Sequence, residues 1–204
     1  MKTSPIIFAV CMALSTEAAF AEEAESWVVK VGAHVVDPKS DNGNLAGGTL
    51  HATIGSDVKP TVTAEYMIDP SWGIEILASL PFQHDVSLNG TTAASVKHLP
   101  PTVGLQYHFS VTDNISPFVG LGINYTFFMS EHGRGNLAGD RINLDNSLGP
   151  AVHVGVDFNL NKRWCLSVDA RWIRISSDVS VNGTKVGTVH IDPLAYGFAV
   201  GYKF

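Results

Sequence analysis

Residues 194–204 place Leu, Tyr, Phe, Val, Tyr and Phe at every even position and Ala, Gly or Lys at every odd one. Alternate residues of a strand point to opposite faces, so this segment is a strand with one wholly apolar face and one small or charged face. The same period of two recurs over 27–36, 61–68, 72–80, 102–111, 117–127, 151–160 and 164–173. Each segment is near the length that a tilted strand needs to cross a bilayer. Lys30, Glu65, Glu75, Asp157, Asp169, Arg171 and Lys203 all fall on the face opposite the apolar one. A Lys or Arg facing lipid at mid-membrane costs about 2–4 kcal/mol, whereas water outside would impose no such segregation. The pattern predicts an all-β chain, an eight-stranded antiparallel transmembrane β-barrel.

The connections alternate in length. Long ones cover 37–60, 81–101, 128–150 and 174–192, and short ones 69–71, 112–114 and 161–163. Long extracellular loops on one side, with short periplasmic turns and both termini on the other, is the arrangement of outer-membrane barrels. Trp27, Trp72, Tyr107, Phe109, Phe158, Trp164, Tyr202 and Phe204 lie at the expected periplasmic ends, where an interfacial girdle belongs. In the last long connection, Asn182-Gly183 between strand-forming residues predicts a hairpin beyond the membrane. The Gly-rich stretches 42–48 and 133–135 predict loosely packed loop tips. Pro81, Pro100, Pro101 and Pro150 stand where strands leave the membrane and have no N–H for a ladder bond. Either the wall pairing breaks at these prolines or the strands simply end there.

Composition narrows the picture further. Residues 1–21 read as a cleaved signal peptide: one Lys, an apolar run too short to span a bilayer, then Ala19-Phe20-Ala21, leaving 22–204 as the barrel. Of the 2 cysteines only Cys165 then remains, so no internal disulfide can form. A net charge of −6 without a basic stripe excludes the footprint of a nucleic-acid partner. The 8 histidines include His51, His84, His98, His132 and His190 in the outer connections, at spacings that make no metal site, and they read as scattered surface residues. No metal or cofactor is implied. Ser110 or Ser167 beside His108 or His153 could in principle serve an outer-membrane enzyme, but no third orienting group marks such a site, and the chain reads as a non-enzyme.

The interior of an eight-stranded barrel is just wide enough for side chains to fill it. The seven inward charges, four acids and three bases, therefore predict an ion-paired polar plug in the lower lumen, with His34, His108 and His153 hydrogen-bonded within it. Candidate channel-lining residues are the apolar inward ones, Met67, Leu77, Phe118 and Ile173. Leu45, Leu50, Ile54, Val86, Leu88, Leu99, Leu137 and Leu144 lie in the outer connections. Turned inward they would build a solute pocket at the mouth; otherwise they pack loop on loop.

Five segments carry a family resemblance: Trp27-Val28-Val29-Lys30-Val31-Gly32, the run 101–109 from Pro101 to Phe109, the run 117–125 from Pro117 to Tyr125, the run 148–157 from Leu148 to Asp157, and Ile191-Asp192-Pro193 leading to Gly201-Tyr202-Lys203-Phe204. In this order and over essentially the whole of 22–204, the chain resembles the OmpW family of outer-membrane proteins. The resemblance implies a monomeric barrel surrounded by membrane lipid and lipopolysaccharide. It implies that small hydrophobic solutes enter at the extracellular mouth and leave sideways through a gap in the wall. It also implies that Phe204 is the assembly signal read by the barrel-assembly machinery. The alternative is a structural or adhesive barrel with a closed lumen.

Overall fold

The computed structural model describes residues 27–204; the expected leader, 1–21, lies outside the described residues. In chain order the strands are β1 (Trp27–Asp37), β2 (Asn44–Leu45), β3 (Leu50–Ile54), β4 (Asp57–Met67), β5 (Trp72–Ser79), β6 (Phe82–Leu88), β7 (Thr91–Leu99) and β8 (Thr102–His108). There follow β9 (Ile115–Gly133), β10 (Ile142–Leu144), β11 (Ser147–Asn159), β12 (Trp164–Ile173), β13 (Ser176–Val181), β14 (Thr184–His190) and β15 (Leu194–Lys203). Eight of them form the wall in the order β1, β4, β5, β8, β9, β11, β12, β15, every neighbouring pair antiparallel. Val31 stands opposite Val62 on one side and Val200 on the other, so β1 and β15 close the barrel. Closure satisfies the backbone N–H and C=O groups along the wall, which lipid cannot do.

The outward face is apolar: Leu121, Ile123, Val154 and Phe198 are each more than half exposed, in a band that carries no charge. Below the band, aromatic rings pair edge to face. Trp72 and Tyr107 are 4.8 Å apart, Trp164 and Tyr202 4.9 Å, and Tyr202 and Phe204 4.8 Å. The periplasmic turns are short because their own side chains close them. Asp69 Oδ1 accepts from the N–H groups of Ser71 and Trp72, and Asn161 Oδ1 from those of Arg163 and Trp164.

The extracellular side is far more ordered than loop composition suggests. β6 and β7 form a hairpin that continues the wall upward, paired to the upper half of β9 on one side and to β3 on the other. β13 and β14 form the expected hairpin, with Asn182 at φ 51° and Gly183 at φ 82° supplying its turn, and β10 adds a third strand. The Gly-rich stretches are open at Gly47 and Gly48, which are exposed with nothing packed against them, but tight at Asn42 and Gly133. Asn42 is fully buried: its amide donates to His190 O (2.9 Å) and its Oδ1 accepts from Ile54 N–H (2.8 Å). Gly133 packs so tightly that a Cβ there would lie 1.9 Å from Leu137 O. Pro150 does not break the wall either, because β11 runs on past it until Ser147 stands opposite Thr126. At Pro81, Pro100 and Pro101 the ladder does lapse, between the last β5–β8 pair, Leu77 with Thr102, and the first β6–β7 pair, Phe82 with His98.

Candidate functional site

At the extracellular mouth the loop strands enclose a cavity of about 220 Å³. Leu45, Leu50, Ile54, Val86, Leu88, Leu137 and Leu144 line it, together with valines and isoleucine from β7, β10, β13 and β14, and no polar side chain contributes. Seven of the eight apolar loop residues singled out from sequence thus converge on one space, Leu99 being the exception. Those on strands converge because each loop strand alternates, placing one apolar row inward, and Leu137 joins them from the 3-10 turn 135–137. Leu45, Ala52, Val179 and Val189 form a buried core around which the three extracellular elements meet.

Beneath this cavity the lumen is packed. Ala151, Ile173, Ile175 and Ile191 form a buried cluster against Ile54 and Phe128, and Phe82 packs with Val36 and Ala195. His84 and His98 belong to this level and are not surface residues: they are 3% and 1% exposed and stack on each other at 4.8 Å. The alternation Phe82, His84, Val86 on β6 could have placed them inward, had the period of two been followed past Pro81. Also hidden in the sequence is Asn124, which is fully buried. Its amide lies 3.0 Å from Pro100 O and 3.1 Å from Pro101 O, and its Oδ1 accepts from Thr126 Oγ1 (2.7 Å). A side chain therefore grips the proline pair where the backbone ladder lapses.

The charged layer lies lower. Lys30 Nζ is 2.8 Å from Asp157 Oδ2 and sits 4.7 Å over the Phe118 ring. Arg171 Nη2 is 2.6 Å from Glu75 Oε1, with His153 Nδ1 3.6 Å from the same oxygen. His34 Nε2 meets Asp169 Oδ1 at 2.8 Å, and His108 Nε2 meets Glu65 Oε1 at 2.8 Å. Each of the four acids has a partner, as buried carboxylates require. Lys203 stands apart and donates to Asn159 Oδ1 (3.0 Å) at the lower rim. The free space within this layer is about 10 Å³, at the lower limit for a single water. Below it a wide opening of about 900 Å³ faces the periplasm, with Asp69, Asp113, Lys162 and Lys203 on its walls.

The four candidate channel-lining residues do not form one continuous surface. Met67 lines the periplasmic opening, Phe118 lies under Lys30 in the charged layer, and Leu77 and Ile173 are buried in the wall interior above it. Phe204 is exposed at the rim, its N–H bonded to Trp27 O (2.9 Å). Of the serine–histidine pairs, Ser167 is buried, Ser110 lines the periplasmic opening, and His108 and His153 face carboxylates. Among the described residues no group of three or more His, Cys, Asp or Glu side chains is placed to hold a metal ion.

Comparison with known proteins places this architecture. The OmpW family model matches residues 23–204. The chain is 32% identical to outer membrane protein W of Vibrio cholerae over the full length of both. It superposes on the crystal structure of the outer membrane protein OprG from Pseudomonas aeruginosa with a TM-score of 0.81 at 32% identity, covering 88% of this chain and 95% of that one. It is 28% identical to the dibenzothiophene metabolism operon protein PahQ of Pseudomonas aeruginosa, covering 78% of this chain and 77% of the relative. An eight-stranded wall with an apolar outer band and full-length relatives named for the outer membrane leave one assignment: the chain is an outer-membrane protein and belongs to the OmpW family.

Proposed function

We propose that this barrel takes up small apolar molecules at its extracellular mouth and passes them sideways into the outer membrane. The observation that carries the reading is the cavity of about 220 Å³, lined only by apolar side chains and set above a lumen packed with ion pairs. An apolar cavity of about 150 Å³ stays free of water and binds benzene, so this one suits a solute of one substituted ring or a short chain. Straight passage to the periplasm would force such a solute through paired charges, which offer it nothing in exchange for lost hydration. The lapse in wall pairing beside Pro81, Pro100 and Pro101 supports a lateral exit above that layer. The relative PahQ, named for an operon of dibenzothiophene metabolism, supports an apolar aromatic solute. In this reading Leu77 and Ile173 flank the route, the ion-paired layer closes the barrel below it, and lipopolysaccharide surrounds a single copy.

The test is uptake of a hydrophobic solute by cells with and without the protein, and with Leu137→Asp. A carboxylate in the cavity has no partner there and draws in water. Uptake should rise with the native protein and fall to the background level with the variant, while heat-modifiable migration shows the barrel still folded. Equal uptake by cells with and without the inserted native protein would favour the closed structural or adhesive barrel.

A further inference from the structure

We propose that His84 and His98 read the polar end of the solute, selecting apolar molecules that carry one hydrogen-bond donor, such as phenols and aromatic alcohols, over plain hydrocarbons. This rests on the uptake reading above and names the solute class for the same site.

The argument begins with strand alternation. On β6, Phe82, His84 and Val86 point inward; on β7, Ala94, Val96 and His98 do. His84 stands opposite Val96, and Val86 opposite Ala94. Val86, Ala94 and Val96 line the apolar cavity, so His84 stands level with its innermost lining residue on β7, and His98, opposite Phe82, lies one inward-facing pair deeper. They are the first polar side chains along these strands that a solute leaving the cavity inward would meet. Outward residues of the same hairpin, Gln83 and Asp85, are polar and exposed, which places the hairpin beyond the lipid band.

The chemistry of the pair is unusually well defined. His84 Nδ1 lies 2.5 Å from Gly55 O, and a carbonyl can only accept, so Nδ1 carries the hydrogen. Burial pushes the His84 ring below its ordinary pKa, so the ring is neutral and its Nε2 presents a lone pair. That Nε2 is buried and has no partner. His98 is held neutral as well, its pKa pushed down to about 3 by burial and by the neighbouring His84, and its Nε2 is also buried without a partner. Two orphaned nitrogens in one apolar neighbourhood are costly, and native proteins rarely retain them without a use. A hydroxyl or amine brought in on an apolar body would satisfy His84 Nε2 while its ring stayed among Val86, Val96 and the flanking rings of Phe82 and Phe128, which lie 5.7 Å and 6.0 Å from His98.

The test compares p-cresol with p-xylene, two rings of nearly the same shape that differ by a hydroxyl for a methyl. Uptake into vesicles bearing the full chain is measured relative to protein-free vesicles. The native protein should enhance p-cresol entry about tenfold more than p-xylene entry, the worth of one hydrogen bond. His84→Leu should abolish that preference, bringing the enhancement of p-cresol entry down to that of p-xylene in the same variant. Independently of any variant, the His84 Nε2 nitrogen resonance in the native protein should move when p-cresol is added and stay still with p-xylene. Equal enhancement of both solutes, or a still resonance with p-cresol, overturns the proposal while leaving uptake intact. Enhancement of neither overturns the uptake reading and this inference with it.

Discussion

Lys30 and Asp157 can sit inside the wall because each completes the other, and the Phe118 ring covers the ammonium from another side. Removing one partner leaves the other charge buried and alone, a loss of about 3–5 kcal/mol, whereas replacing both with apolar residues of similar volume is close to neutral. Lys30→Met should therefore lower the urea midpoint of unfolding in lipid vesicles, and adding Asp157→Leu should restore most of it. That these charges face inward was legible from sequence, because period two puts them on one face, but that Lys203 stands apart at the rim was not. The partners were not, since Lys30 and Asp157 lie far apart in the chain and meet only across the closed barrel. The small residues of the last strand are explained at this scale too. A Cβ on Gly201 would lie 2.5 Å from Cys165 Sγ, and one on Gly197 would lie 2.8 Å from His34 Cδ2. These positions are empty so that a neighbour's side chain can lie over them.

At the level of elements, strand number, order and the β13–β14 hairpin could be read from alternation and from Asn-Gly. The β6–β7 hairpin carries the same signal at its tip, Asn89-Gly90 at φ 50° and 81°, but Pro81 and Pro100 interrupt the alternation on both sides and hide the strands that flank it. The interruption has its own consequence. Neither Pro100 nor Pro101 offers an N–H, and Asn124 holds their carbonyls from the lumen instead. If the solute leaves through this lapse, replacing both prolines by Thr returns two donors to the wall. The double variant should then take up solute several-fold more slowly, with its extracellular cavity intact and its thermal stability equal or higher. Uptake unchanged in that variant would place the exit elsewhere.

Across the whole molecule, closure depends on β1 meeting β15, the first and last strands, which register from Val28 opposite Lys203 to Asp37 opposite Leu194. A pairing between chain ends forms late, since the rest of the chain must be ordered before the ends meet. Phe204, next to that seam and bonded to Trp27, is where an assembly signal would act. Phe204→Ala should slow the appearance of the heat-modifiable form in cells while leaving the stability of the finished barrel nearly unchanged, since the ring is 64% exposed. Another feature governs how such a chain can change. Strand β9 pairs with β8 and β11 in the wall and with β7 above it, so the wall and the mouth share one continuous backbone. A single deletion between 115 and 123 would turn one end's inward side chains to lipid. Within this strand, therefore, any change in length must come in pairs of residues.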